Sequence, residues 1–447
     1  MNIGEDQKKI IQISKYLYNK SKKNFTALSP QTFFAMWGKT IGFERIKYKF
    51  YGSRHPLQYF LTICKDIFFI STLSNFKIYK STRLKKTIYK NLIVSYANIS
   101  DFNANGSYTD RYFRINSKKY FKNIFFLIYM SKVLPKKIDK NVILLVNKKT
   151  KLKYNFYFLL KYIFCKLFKS KFSLISFFNS TSTHNRFSEI ALYFLKKEIN
   201  LKEVCKITVP YEGQIFHNQL FHMAKKINKN IINIGYEHSA PHSIPINLIH
   251  SSLSPDVLFV NGESQIKFFN KFLNWPKKKL KLVPSARYPK NIDFGFENTV
   301  FLPFEIFHKN IIVKEFENLI LNSPINTFNF LKIKNHPMSV DSKINISTKL
   351  ELENIIKKNK NRFDKQKTKN TAIFVGPTTG AIVALEKKIK VIHICSDPIF
   401  ESYTSALWPN IKALPLSKNT FIYSTKKLNT FIKFSKYKNC YEKYYKI

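Results

Sequence analysis

The chain has 447 residues, 45% hydrophobic and 16% aromatic, which is enough for two or three domains, each with its own core. Its formal net charge is +49, but only eight of the 76 basic residues are Arg, and base-edge readers of nucleic acid lean on the Arg fork. The Lys excess comes with many Ile, Phe and Tyr and only 11 Gly, the pattern of an AT-rich genome; a nucleic-acid partner is therefore disfavoured, and an anionic membrane surface or anionic substrate suits the remaining charge.

Along the chain, "MNIGEDQKKIIQISKYLYNK" lacks the apolar centre of a signal peptide. Five scattered cysteines (Cys64, Cys165, Cys205, Cys395, Cys440) form no CxxC pair, which argues against a disulfide framework or zinc site and fits a reducing cytoplasm. The longest apolar stretch, Tyr154–Phe172, is broken by Lys161 and Lys166 and falls short of the ~20 residues that span a bilayer. It reads as a core-facing helix, or as an amphipathic one lying on the inner face of the cytoplasmic membrane.

From about residue 140, β-like runs alternate with helix-length segments, after a less regular N-terminal region. The runs are 141–147, 172–178, 203–210, 230–236, 256–262 and 280–284. Between the third and fourth, Ile215, Leu220, Ala224 and Ile227 fall near helical spacing. The pattern restarts after a linker at 285–298, with runs at 299–305, 328–337, 371–380 and 390–398 and a charged helix at Lys349–Lys360. Strand, helix, strand in this order predicts parallel sheets covered on both faces. The expected fold class is α/β, with two Rossmann-like domains facing across a cleft. Residues 1–290 would form the acceptor-side domain and 291–430 the donor-binding domain, with a tail, 431–447, packing back on the first.

In open parallel sheets, ligands sit beyond the carboxyl ends of the strands, and four such places carry polar groups. In "VPYEGQ", Glu212 and Gln214 open a helix. The carboxylate suits a helix N-terminus on electrostatic grounds alone, or serves as a general base on the cleft floor. In "GYEHSAPH", Gly235 permits a turn, while Pro241 and Pro245 stiffen the loop presenting Glu237, His238, Ser239 and His242. "KIKNHP" ends a strand in His336-Pro337, whose imidazole could donate to a phosphate or a base. In "FVGPTTGAIVALE", Thr378 and Thr379 open a helix where hydroxyls and amides suit phosphate oxygens, and Glu386 lies two turns on, placed to accept from ribose hydroxyls. An ordinary Thr cap is the alternative there. No GK[ST] makes this a Walker loop, and no DxD-like motif calls for a divalent cation.

Two α/β halves, a His-Pro after a second-half strand, and paired hydroxyls with a Glu two turns on resemble a GT-B glycosyltransferase. The His-Pro and paired-hydroxyl motifs are similar to those of bacterial sialyltransferases, polysialyltransferases, Kdo transferases and glycerophosphotransferases, which use CMP- or CDP-activated donors. A closer resemblance is to bacterial surface carbohydrate biosynthesis proteins. It rests on Glu212-Gly213-Gln214, His238-Ser239, Pro255-Asp256 with Val260-Asn261-Gly262, Arg287-Tyr288, and "SYANISDFNANGSYTDRYF" (Ser95–Phe113). It covers roughly residues 90–400 in scattered motifs, with Gly213 where that family has Asn and Phe216 as the aromatic residue after Gln214.

The resemblance implies an inverting, metal-independent transferase without a cofactor. It would move a sugar from a nucleotide-sugar donor to a surface polysaccharide or lipid-linked glycan acceptor. Glu212 and His238 are the candidate catalytic residues; His336, Thr378, Thr379 and Glu386 the donor-binding ones; Gln214, Ser239 and Arg287 the cleft or acceptor residues. Two rivals remain at this level: a nucleotide-sugar epimerase using the same cleft, and a non-catalytic polyanion-binding protein.

Overall fold

The computed structural model describes residues 2–21, 76–81, 90–147, 164, 183–290, 293, 295–304, 306, 308–325, 327–329, 331–336, 339, 342–364 and 370–435. Apart from residue 164, the 154–172 stretch lies outside them, as do the run at 172–178, Pro337 and the tail beyond Ser435.

Strands β1 (Phe76–Lys80), β2 (Asn91–Ala97), β3 (Asn123–Tyr129), β4 (Val142–Asn147), β5 (Lys206–Pro210), β6 (Ile232–Tyr236), β7 (Val257–Val260) and β8 (Leu280–Leu282) form one sheet. Their order is β1-β4-β3-β2-β5-β6-β7-β8, parallel throughout except where β1 runs antiparallel to β4. Helices α2 (Thr183–Glu198), α3 (Ile215–Ile227) and α4 (Glu263–Phe272) accompany it, whereas α1 (Ile3–Ser21) packs on the second half of the chain, its Gln7 Nε2 donating to the carbonyls of Ile399 (3.0 Å) and Ser402 (2.7 Å). In α3 the buried residues Phe216, Leu220 and Ala224 recur every four positions and form its core-facing stripe. The regular alternation begins earlier than the sequence suggested. β2 and β3 lie upstream of residue 140, and β2 stands at the centre of the sheet.

The chain then adds β9 (Ser285–Pro289), β10 (Thr299–Phe301), β11 (Phe328–Asn329), β12 (Lys332–Lys334), β13 (Phe363–Asp364), β14 (Thr371–Val375), β15 (Lys390–Ile394), β16 (Ile411–Pro415), β17 (Thr420–Thr425) and β18 (Phe434–Ser435). A second sheet has the order β12-β10-β14-β15-β17-β16, its first four strands parallel and its last two antiparallel additions. The helices of this half are α5 (Lys309–Asn322), α6 (Lys343–Lys358), α7 (Gly380–Glu386) and α8 (Pro398–Glu401).

Alternate residues of a strand point to opposite faces, and here both faces are buried. Leu92 and Val94 enter one hydrophobic cluster while Ile93 enters another; Ala372 and Phe374 separate in the same way from Ile373 and Val375. That is why these strands read as unbroken apolar runs. One cluster contains both Leu258 and Trp275 from the first half and Phe374 and Trp408 from the second, so the two halves share a packed core.

The loop after β6 stitches that junction. Trp408 Nε1 donates to the Ser243 carbonyl at 2.8 Å, and Ser243 Oγ donates to the Phe400 carbonyl at 2.6 Å. The Tyr403 hydroxyl lies between the carbonyls of Pro241 (2.8 Å) and Thr378 (2.9 Å). At the far end of the described chain, β18 pairs with β9, and Ser264 N donates to the Thr430 carbonyl. No helix among the described residues is long and apolar enough to cross a membrane.

Candidate active site

Each sheet reverses its strand order once, which opens a crevice at the carboxyl ends of the strands on either side. In the first sheet this occurs between β2 and β5, and in the second between β10 and β14. Most of the polar residues singled out from the sequence gather around these two places, with Glu386 the exception.

Pro210 of β5 pairs in register with Tyr236 of β6. Glu212 and His238 each lie two residues beyond that pair, so parallel register sets them side by side. Glu212 Oε1 stands 3.6 Å from His238 Nε2. Glu212 is clamped from the other side: Gln214 Nε2 donates to its Oε2 at 2.7 Å, and the Tyr96 hydroxyl at the end of β2 donates to Gln214 Oε1. The chain Tyr96–Gln214–Glu212–His238 thus runs across the switch point from β2 to β6.

Gly213 makes this turn possible. Its φ is +66°, and a Cβ there would lie 2.0 Å from the Asn247 carbonyl oxygen. Any residue with a Cβ, Asn included, would collide with that oxygen, so the turn requires glycine.

Burial sets the titration of the pair. The Glu212 side chain keeps 41% exposure, yet desolvation by the enclosing protein raises its pKa above the ordinary carboxylate value, while Gln214 and Arg287 pull it back. His238 is buried, and desolvation followed by the Arg287 charge holds its pKa well below the usual histidine value. The 3.6 Å contact is therefore a neutral imidazole beside a carboxyl group rather than an ion pair. His238 Nδ1 is buried without a hydrogen-bond partner, so a proton there would be an unsatisfied donor. That cost favours the N–H on Nε2, the nitrogen that faces Glu212.

Sequence reasoning did not single out Tyr96, Tyr112 or His217 individually. The Tyr112 ring meets the His238 ring edge-on at 4.4 Å. Buried Asp110 holds Tyr112 there by accepting the N–H groups of Tyr112 (2.8 Å) and Phe113 (2.7 Å) and the Tyr108 hydroxyl (2.7 Å). All of these except His217 lie in the 95–113 segment, which carried the signal as a block. His217 contacts the Tyr96 hydroxyl at 3.4 Å, and desolvation lowers its pKa to about 3. The Asn261-Gly262 pair has a framework role. Asn261 Nδ2 donates to the Glu237 carbonyl at 2.9 Å, and a Cβ on Gly262 would lie 2.1 Å from the Phe431 carbonyl oxygen.

Glu237 lies beside Glu212 and is itself buried, with Oε1 accepting the Ser239 N–H at 3.2 Å. Desolvation, then repulsion from Glu212, pushes its pKa up to about 8 from an ordinary 4.5. The folded state therefore holds a proton that the unfolded chain loses above that ordinary value. This contribution is complete at low pH and is lost as pH rises through about 8. Glu237→Gln, a permanent mimic of the protonated acid, is expected to raise the Tm, and by more at pH 8 than at pH 5.5. Melting curves at the two pH values check this, and an equal change at both would refute it.

A cavity of about 590 Å³ lies against the second switch point. Thr378, Thr379 and His336 line it, with Arg287 and Asn247 from the first half of the chain. Asn247 also donates to the Glu212 carbonyl at 3.3 Å and so connects the cavity wall to the Glu212 turn. Gly376 turns the chain at φ +63°, and its carbonyl receives His393 Nε2–H at 2.7 Å. Thr378 Oγ1 accepts the Gly380 N–H at 3.1 Å, whereas the Thr379 side chain makes no capping bond at the start of α7. The His336 ring stands 5.7 Å from that of Phe304, and desolvation followed by Arg287 lowers its pKa.

Glu386 sits elsewhere. Its buried carboxylate accepts the backbone N–H groups of Asn429, Phe431 (2.7 Å) and Ile432 (3.4 Å), and it does not line the cavity. The carboxyl groups that do line it are Asp397 and Glu401, beyond β15. Glu401 accepts Ser396 N and Ser396 Oγ, both at 2.6 Å, and desolvation raises its pKa to about 7.

Compared with known proteins, the chain matches no family model and no curated protein.

Proposed function

We propose that the protein is an inverting glycosyltransferase of GT-B architecture. It would take a sugar from a CMP- or CDP-linked donor and pass it to a surface polysaccharide or lipid-linked glycan. One arrangement carries the reading: a carboxyl–imidazole pair at the switch point of one sheet, joined through Asn247 to a cavity that holds two hydroxyls and an imidazole at the switch point of the other.

In this reading Glu212 is the base. Its raised pKa brings it closer to the working pH, and it takes the proton from the acceptor hydroxyl as the oxygen attacks the anomeric carbon. His238, neutral and with its N–H turned to Glu212, orients the carboxylate rather than competing for the proton. The bond to the nucleotide phosphate breaks with its electron pair leaving on the phosphate oxygen. Thr378, Thr379 and His336 donate to that developing charge. In the cavity, Glu401 replaces Glu386 as the carboxyl group that accepts from ribose hydroxyls.

Calorimetry with cytidine 5′-monophosphate tests the phosphate assignment. Thr378→Val combined with Thr379→Val is expected to weaken binding by about tenfold or more, because two donors to a charged oxygen are lost. Unchanged affinity would remove both threonines from the phosphate site. A strong preference for uridine nucleotides would overturn only the cytidine part.

A further inference from the structure

Arg287 projects from β9 as an exposed side chain lining the cavity. Its guanidinium lies 5.6 Å from the centroid of the neighbouring Tyr288 ring, and it has no hydrogen bond or ion pair among the described residues. Other arginines are engaged. Arg111 binds Asp101, and Arg362 donates to the carbonyls of Ile320 (3.0 Å), Leu321 (2.7 Å) and Ser323 (2.6 Å). The Arg287 charge reaches both sites, acting on Glu212, Glu237 and His238 on one side and on His336 on the other. Only eight of the chain's 76 basic residues are Arg, so a point charge could have been supplied here by the commoner Lys. What Lys cannot supply is a planar fork that donates two parallel hydrogen bonds to a carboxylate or phosphate.

We propose that Arg287 is the oxyanion receptor of this cavity, gripping a carboxylate or phosphate group of the ligand at the junction between the Glu212–His238 pair and the Thr378–Thr379 turn. This deepens the transferase reading, and it rests on that reading only for which part of the substrate the anion belongs to. A carboxylate would make the transferred sugar an acidic one. A phosphate would be that of the nucleotide.

The two sources are separated by binding measurements that need no turnover. Inorganic pyrophosphate probes the phosphate, and glucuronate against neutral glucose probes the carboxylate. Each is titrated calorimetrically into the full chain and into Arg287→Gln and Arg287→Lys. At least one anion is expected to bind the parent protein, to lose about tenfold or more in Arg287→Gln, and to recover only partly in Arg287→Lys. An Arg287-dependent loss for pyrophosphate assigns the phosphate. A loss for glucuronate, with glucose indifferent throughout, assigns the carboxylate. If neither anion binds, or if Arg287→Gln binds both as the parent does, the proposal is overturned. It is equally overturned if Arg287→Gln melts well below the parent, since the side chain would then be structural. An inactive protein that still grips an anion through Arg287 would sink the transferase reading and spare this one; an active protein whose binding ignores Arg287 would do the reverse.

Discussion

Glu212→Gln is expected to fold as the parent does, to keep its nucleotide affinity and to lose about 10²–10⁴-fold in turnover, the usual cost of removing a general base. Gln fills the same space and keeps an acceptor oxygen toward the Gln214 amide, so the turn at Gly213 has no reason to change. His238→Ala should also lose turnover, for a different reason, since in the proposed mechanism the imidazole 3.6 Å away orients the carboxylate.

The pH profile separates the two roles. A base works only when deprotonated, and the Glu212 pKa lies above the ordinary carboxylate value. In the parent, kcat/KM should therefore rise with pH along a limb displaced upward from that value. The same limb should persist in His238→Ala at a lower plateau. Near-normal turnover in Glu212→Gln would end its assignment as the base. Loss of the limb in His238→Ala would transfer that role to the histidine.

The second large effect concerns stability. Glu386→Ala leaves three backbone N–H groups at 429–432 without their acceptor in a buried junction. Each unsatisfied donor costs about 1–3 kcal/mol, so a total of about 3 kcal/mol or more is expected. For a domain of ~150–250 residues that is a fall in Tm of roughly 6–12 °C. Asn429 sits at φ +58°, so the carboxylate also holds a turn that the chain would otherwise leave. Nucleotide affinity of the folded protein should be unaffected, because Glu386 does not line the cavity. A variant with an unchanged melting curve and lost nucleotide binding would restore Glu386 to the donor site.

The parallel α/β character of the chain, and the strand ends that carry polar groups, could be read from the amino-acid pattern alone. Strands buried on both faces read as near-continuous apolar runs, as at 142–146 and 372–375, and the crevices of such sheets lie beyond the carboxyl ends of their strands. The closeness of Glu212 and His238 was legible for the same reason: both follow consecutive strands, and parallel register carries equal offsets to adjacent places.

What the sequence did not contain was lateral order. Periodicity tells which faces of a strand are apolar but not which strand lies beside it, so nothing in "NLIVSYA" announced that β2 is central and brings Tyr96 to Gln214. The choice between carboxylates was equally tertiary. Glu386 lies two turns beyond the paired threonines, yet the return of the chain at 429–432 claims its oxygens, while Glu401, distant in sequence, reaches the cavity. Backbone amides brought in from more than 40 residues away decided this, because a buried carboxylate settles where donors meet it.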